Sequence, residues 1–299
     1  MMLKEVSDVI CNLCPRNCNL ERNSEIGNGY CKMPELPVVA RAGLHFWEEP
    51  CISGKNGSGT IFFSGCSLGC VFCQNNEISH KNFGKKISVE RLAEIFQELE
   101  NIGAHNINLV NPTHNIDAIE KAFEIYKPNI PIVYNSSGFD TEAQIERASK
   151  FTDIFLMDYK YSSNLRAKKY SKAENYPEVA EKAIIKCAKI IKENVIDQNG
   201  IMQKGIIIRH LIMPQGTNDA IEVIKWVENN VPWAFFSLLS QYTPCGDLTD
   251  YKEINRKITS REYNKVLDFA SQTKINNIFT QELSSSTADY IPPFNLDGV

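Results

Sequence analysis

The chain is 299 residues long, 43% hydrophobic and 23% charged, an ordinary globular composition with length enough to bury a substantial core. Its formal net charge of −4 argues against general electrostatic attraction to DNA, RNA or an anionic membrane. The opening MMLKEVSDVICNLC lacks the apolar region of a secretion signal, and no apolar run approaches the roughly 20 residues of a membrane helix. A cytoplasmic, reducing location is therefore expected, where the ten cysteines point to metal ligation before disulfides.

Eight of those cysteines fall within the first 73 residues. Residues 1–58 are read as a Cys-rich metal-binding segment with little helical period. "CNLCPRNC" and "GNGYC" supply Cys11, Cys14, Cys18 and Cys31, four thiols whose C-x2-C start suits a tetrahedral second metal site, zinc or iron–sulfur. Zinc would make a structural knuckle, and a cluster would suit electron delivery. Cys51 is open between a spare ligand and a residue facing the active site. "SGKNGSG" at 53–59 reads as a loop entering the first barrel strand.

Residues 59–282 alternate strand and helix. Apolar runs lie at 60–65, 106–111, 131–137, 153–159, 205–213 and 233–239, with amphipathic patterns between them; SVERLAEIFQELENIG, for example, carries a Ser88 cap. Cys187 sits inside one such helix and is expected to be a buried structural thiol. Six β-α units imply a parallel sheet with helices outside, an α/β fold whose ligands gather at the C-terminal strand ends. Polar residues collect there: Asn111 to His114, Asn135 to Gly138, Asp158 and Lys160, Arg209 and His210, Gln241 and Tyr242. Residues 283–299 are expected to pack on the core as a C-terminal extension, with Tyr290, Ile291 and Phe294 seeking burial and a lid over the substrate as the sharper expectation.

After the first run comes "CSLGCVFC", with Cys66, Cys70 and Cys73 at x3 and x2 spacing. Three thiolates on one loop can grip three corners of a cubane iron–sulfur cluster and leave its fourth iron open. A structural zinc site would want four closed ligands. Phe72 is placed to shield the loop from water.

This loop, with its aromatic residue before the last cysteine and a strand before the first, resembles the cluster loop of radical S-adenosylmethionine enzymes. The wider chain is similar to pyruvate formate-lyase activating enzymes, most of all to their uncharacterised activase-related subgroup, which also shows an N-terminal Cys feature with a Pro-Arg pair. The resemblance implies a partial (β/α)6 TIM-like barrel, a 4Fe-4S cluster on Cys66, Cys70 and Cys73, and S-adenosyl-L-methionine on the unique iron. One-electron reduction, from a donor such as flavodoxin or ferredoxin, would yield a 5′-deoxyadenosyl radical that abstracts hydrogen from substrate. It further implies cofactor contacts at Asn111, Asn135, Ser136, Asp158 and Arg209, the last pairing with the cofactor's carboxylate. Two departures stand out: Asn111-Pro112-Thr113-His114 replaces Gly-Gly-Glu, and Asn135 replaces an acid beside a cation site. The substrate is a glycine of a partner glycyl-radical enzyme or, alternatively, a small molecule or peptide. A non-catalytic zinc-binding protein is the rival from another class.

Overall fold

A computed structural model of the chain describes residues 9–25, 27–283 and 292–299. The N-terminal segment opens with a hairpin of β1 (Val9–Cys11) and β2 (Leu20–Arg22), in which Cys11 stands opposite Leu20. A strand then follows where the composition suggested none: β3 (Val38–His45) pairs antiparallel with β4 (Ser58–Phe63), His45 opposite Ser58. Its VVARAGLH buries Val39, Ala40 and Ala42, but small residues and a glycine dilute the strand signal. Between them, helix α1 (Pro50–Ser53) starts on a proline whose missing N–H costs a first-turn position nothing.

The main sheet continues in parallel through β6 (Ile107–Val110), β7 (Ile132–Ser136), β8 (Ile154–Asp158), β10 (Met202–Leu211), β11 (Phe235–Leu239) and β12 (Asn277–Thr280), each beside its predecessor. Short β5 (Lys85–Lys86) extends the β3 edge, and β9 (Val195–Ile196) pairs antiparallel with β10. Strand order therefore runs from β12 to β5 as an open curve. One cavity is lined from β4, β6, β7, β8, β10, β11 and β12 together, so the sheet curls round it as a partial barrel.

Helices cover the outside: α2 (Asn76–Ser79), α3 (Val89–Asn101), α4 (Ile116–Ile125), α5 (Glu142–Ala148), α6 (Asn164–Ser171), α7 (Tyr176–Ile190), α8 (Thr217–Asn230) and α9 (Ser260–Ala270). Side-chain oxygens start several of them: Ser88 accepts from Arg91 N–H, Thr141 from Gln144 N–H, and Thr259 forms a capping box with Glu262. The apolar stripe of α3 buries Leu92, Ile95, Phe96 and Leu99, and Phe96, Phe123 and Phe151 stack between helices with centroids 4.8 Å apart. Cys187 is buried in α7.

Inside the barrel, the N-terminal end is plugged. Ile52 of α1 packs with Val133, Ile154, Leu156 and Ile207, tied by Asn106 Nδ2 donating to Ile52 O at 2.8 Å. The described part of the C-terminal extension lies along β3, with Ala42 N–H donating to Asp297 O at 2.9 Å and Phe294 edge-on to Phe62. Tyr290 and Ile291, expected to be buried, lie outside the described residues. Among the described residues no helix is long and apolar enough to cross a membrane.

Candidate active site

β4 is buried along its whole length, which fixes where its last residues deliver the chain: onto the cavity's rim at Gly65 and Cys66. The loop then winds tightly. Leu68 N–H points at Cys66 Sγ, 3.3 Å away, and Cys73 N–H donates to Cys70 O at 3.1 Å. Gly69 takes φ +66°, and a Cβ there would stand 2.6 Å from the Tyr30 hydroxyl, so backbone and phenol meet only because the residue is glycine. Phe72 is buried against Tyr161, Tyr170 and Tyr242, pinning the loop to an aromatic wall.

Each thiol of this loop receives at least one donor. Ser171 Oγ lies 3.0 Å from Cys70 Sγ and Ser79 Oγ 3.2 Å from Cys73 Sγ, beside the Leu68 N–H on Cys66. Burial pushes the Cys73 thiol up to about 12, with the neighbouring thiols adding to it. Burial also raises Cys70, against the pull of the Lys160 ammonium. All three line a cavity of about 500 Å³, within the range of a small-molecule site.

Facing the thiols is a charged floor drawn from distant parts of the chain. Arg209 of β10 donates from Nε to Asp158 Oδ1 at 2.8 Å, from Nη1 to Glu48 Oε2 at 3.0 Å and from Nη2 to Asn135 Oδ1 at 2.6 Å. Lys160 Nζ holds the other Asp158 oxygen at 2.6 Å. Asn108 and Asn135 both donate to Glu48 Oε1, at 3.0 and 3.1 Å. Burial would raise the Asp158 carboxyl, but Arg209 and Lys160 outweigh it and hold the group below its ordinary value. Burial would likewise lower Arg209, which Asp158, Glu48 and Glu49 reverse. Glu49 lies deeper, where burial raises its carboxyl.

The expected cofactor contacts are thus brought to one cavity, in altered roles. Asn111 lines it with a left-handed φ of +59°; its amide N–H donates to Gly65 O, and its buried Oδ1 has no partner among the described residues. Ser136 lines the cavity but turns its hydroxyl to the buried Asp140, which also accepts from Thr113 Oγ1 at 2.8 Å and Tyr134 Oη at 3.0 Å. The next hydroxyl, Ser137 Oγ, is the buried one without a partner among the described residues. Arg209, expected to await a carboxylate, already serves two; each Nη keeps one further N–H. His114 is buried, its Nε2 on Ser64 O at 2.7 Å, and burial lowers it to about 4, so it stays neutral.

Sequence reasoning missed Glu48 and Glu49, which stand in a segment read as Cys-rich and carry no local signature. It also missed how Arg16 is used: Nε donates to Ser67 O at 2.8 Å and Nη2 to Leu68 O at 2.9 Å, inside the cysteine loop. The only hint was its place in the Pro-Arg pair between Cys14 and Cys18. Cys51, left open between a spare ligand and a residue facing the active site, is buried at the plugged end of the barrel with Ile52 and is not among the residues lining the cavity.

Three thiols and orphaned oxygen acceptors on one cavity fit a polynuclear cluster with an amino-acid-bearing ligand beside it. Among the described residues no three His, Cys, Asp or Glu side chains are grouped as ligands of a single ion, and the corners of a cubane stand further apart than ligands on one metal. An α/β partial barrel with such a loop after its first parallel strand defines a class of cluster-dependent nucleotide enzymes. The chain belongs to the Radical SAM superfamily, which it matches over residues 60–227, more than half of its length. It is 30% identical over 278 residues to an uncharacterized protein of Methanocaldococcus jannaschii, covering 90% of this chain and 76% of that one. Among solved structures, SuiB of Streptococcus suis bound to S-adenosylmethionine is 17% identical with a TM-score of 0.51, covering 73% of this chain and 48% of SuiB. The chain thus spans about half of that protein, and the likeness is one of fold. A domain of a pyruvate-formate lyase-activating enzyme from Bacteroides vulgatus is 9% identical, with a TM-score of 0.39, over 57% of this chain and 91% of that domain. Membership in the superfamily implies a 4Fe-4S cluster, S-adenosylmethionine and a reductant.

Proposed function

We propose that this chain cleaves S-adenosylmethionine reductively at a 4Fe-4S cluster held by Cys66, Cys70 and Cys73, and directs the resulting hydrogen abstraction at a polar substrate in the barrel. When bound, the cluster and nucleotide supply the one-electron chemistry and a hydrogen-abstracting centre. The protein's own part is positioning and dryness. Ser171, Ser79 and the Leu68 N–H stabilise charge on the three sulfurs. Asn111 Oδ1 and Ser137 Oγ are acceptors left open for an ammonium or hydroxyl of the nucleotide. Asp158, fixed by Arg209 and Lys160, holds a charge that needs no rearrangement on binding. Phe72 and the tyrosines around it exclude water.

The observation that carries the reading is the opening of all three thiols onto the cavity that also bears Asn111, Asp158 and Arg209. Anaerobically reconstituted protein, reduced in the presence of S-adenosylmethionine, is expected to release 5′-deoxyadenosine and methionine. Cluster-loaded protein that forms neither under these conditions refutes the proposal, as does a preparation that retains only zinc.

For the substrate, the cavity floor favours a small polar molecule or a peptide side chain. Glu48 and Arg209 present charge that the backbone of a glycine loop does not call for. Glycyl-radical activation is the competing reading. An organic radical in a partner protein, detected by electron paramagnetic resonance after incubation, would replace the first reading with the second.

A further inference from the structure

We propose that Cys11, Cys14, Cys18 and Cys31 form a second, fully ligated metal centre whose task is to hold Arg16 and Tyr30 as a clamp on the cluster loop. The clamp half of this inference rests on the cluster reading above; the metal half does not.

The four cysteines sit in tight turns that aim backbone N–H groups at sulfur. Tyr30 N–H lies 3.3 Å from Cys18 Sγ, and the amides of Arg16 and Met33 reach Cys14 and Cys31, each two residues on. Leu68 does the same for Cys66. The amide dipoles stabilise charge on sulfur, although burial outweighs them and raises both Cys14 and Cys31. Asn17, Asn19 and Lys32 adopt left-handed φ of +43°, +51° and +57° to make these turns, an outlay of about 1 kcal/mol or more each for residues with a Cβ. The hairpin brings Cys11 to the same place, where Asn19 N–H donates to Cys11 O at 3.0 Å, and Cys14 is within electrostatic reach of the other three. Like the loop thiols, the four do not stand at the spacing of ligands on one ion, so a zinc would have to draw them in, whereas a cluster would span them. All four are free of disulfides.

An independent observation is Arg22. Its side chain is only 5% exposed, its Nε and Nη2 donate to Pro34 O at 3.0 and 2.7 Å, and its Nη1 has no partner among the described residues. A buried guanidinium with an unused donor calls for a negative neighbour, and its charge falls on Cys31. Four thiolates around a divalent ion or a cluster carry net negative charge and would supply it.

The clamp is visible directly. Arg16, between Cys14 and Cys18, donates to Ser67 O and Leu68 O of the loop and to Ser171 O and Lys172 O of the α6 end. Its guanidinium lies 3.9 Å from the centre of the Tyr30 ring, whose hydroxyl abuts Gly69. One cation thus ties the cysteine segment, the cluster loop and the serine that donates to Cys70.

The test uses the full chain with Cys66, Cys70 and Cys73 all changed to Ala, purified anaerobically. Metal and acid-labile sulfide per chain are expected to show one residual centre, either one zinc or iron with sulfide. A further Cys14→Ser and Cys18→Ser change should remove it. A triple-Ala protein with no stoichiometric metal overturns the proposal, and so does metal that persists after the knuckle is changed. Should the combined variant not fold, cobalt(II) titration of the triple-Ala protein decides instead: thiolate-to-cobalt absorption is expected, and its absence overturns. For the clamp, Arg16→Met in the otherwise natural chain should keep the knuckle metal while losing loop iron to a chelator several-fold faster; an unchanged rate overturns that half.

Discussion

The cluster loop and the charged floor face each other across one cavity, yet they are built by opposite means. The loop takes three sulfurs from eight consecutive residues, and its turn is built locally: a strand end, a glycine with positive φ and the Leu68 N–H turned to Cys66 sulfur. The floor takes Glu48, Asn108, Asn135, Asp158, Lys160 and Arg209 from five stretches of chain, and nothing but the curvature of the open sheet brings them together. A local site tolerates drift in the surrounding fold. A distributed one does not, since each charge is buried against partners that other elements deliver. Damage to the loop should therefore cost chemistry with little stability, and damage to the floor should cost both.

The largest effect expected is on the loop. Cys70→Ala should bring 5′-deoxyadenosine formation to background, because no nearby group replaces a buried thiolate, while far-ultraviolet circular dichroism and thermal unfolding stay close to those of the natural chain. Unfolding lowered by many degrees would erase the contrast between the two regions. The second effect is on the floor. Arg209→Met strips Glu48 of its cation and leaves Asp158 with Lys160 alone; removing one partner of a buried ion pair costs about 3–5 kcal/mol, readable in urea unfolding at neutral pH. The sign with pH follows from Asp158, whose folded value is depressed: its stabilisation is whole above its ordinary 3.8 and fades as pH falls below that. The variant's deficit should therefore shrink in acid, and a deficit constant down to pH 3 would separate Asp158 from Arg209.

That contrast also governs what could be read from the sequence. Cys66, Cys70 and Cys73 were legible because their chemistry is a spacing. Six of the seven parallel strands were legible because a strand buried on both faces is a mostly apolar run, as IFF, INLV, IVY and IFLM are; the partly exposed edge strand β12 was not. The rule that ligands gather at strand ends carried Asn111, Asn135, Asp158 and Arg209 to the right rim. It stopped there, because which hydroxyl turns inward depends on partners: Ser136 is taken by Asp140, leaving Ser137 open. Glu48 was beyond reach, since β3 hides in a segment dominated by cysteine, glycine and proline, and the strand's pairing with β4 is what carries Glu48 into the barrel's cavity.

A smaller effect belongs to the seam between the regions. His114 hangs from Ser64 O, one residue before Gly65, and its folded value of about 4 lies under the ordinary 6.5. The unfolded chain takes up a proton first as pH falls, so stability should decline from pH 6.5 toward 4, by at most about 3 kcal/mol from this group. His114→Gln keeps a donor to Ser64 and should flatten that part of the profile, leaving the slope due to His45, lowered by burial to about 4, and to His80 and His210, which burial also lowers. An unaltered profile would mean His114 is not the buried neutral group described.

The smallest effect sharpens the comparison most, because it touches a place where floor-style partnership enters the loop, as it also does at Arg16 and Phe72. Ser171 comes from α6, a hundred residues after the cysteine it serves, and donates to Cys70 Sγ at 3.0 Å while sharing a bond of 2.9 Å with Tyr161 Oη. Ser171→Ala removes a single bond to sulfur, about 1 kcal/mol, without opening the wall formed by Phe72 and Tyr161. The cluster should remain bound at natural iron content. Its reduction potential should fall by on the order of 40 mV, the one-electron equivalent of that bond, because a donor to sulfur favours the more negative reduced state. Loss of iron rather than a lowered potential would show that α6 holds the loop in place, so that the loop is as distributed as the floor.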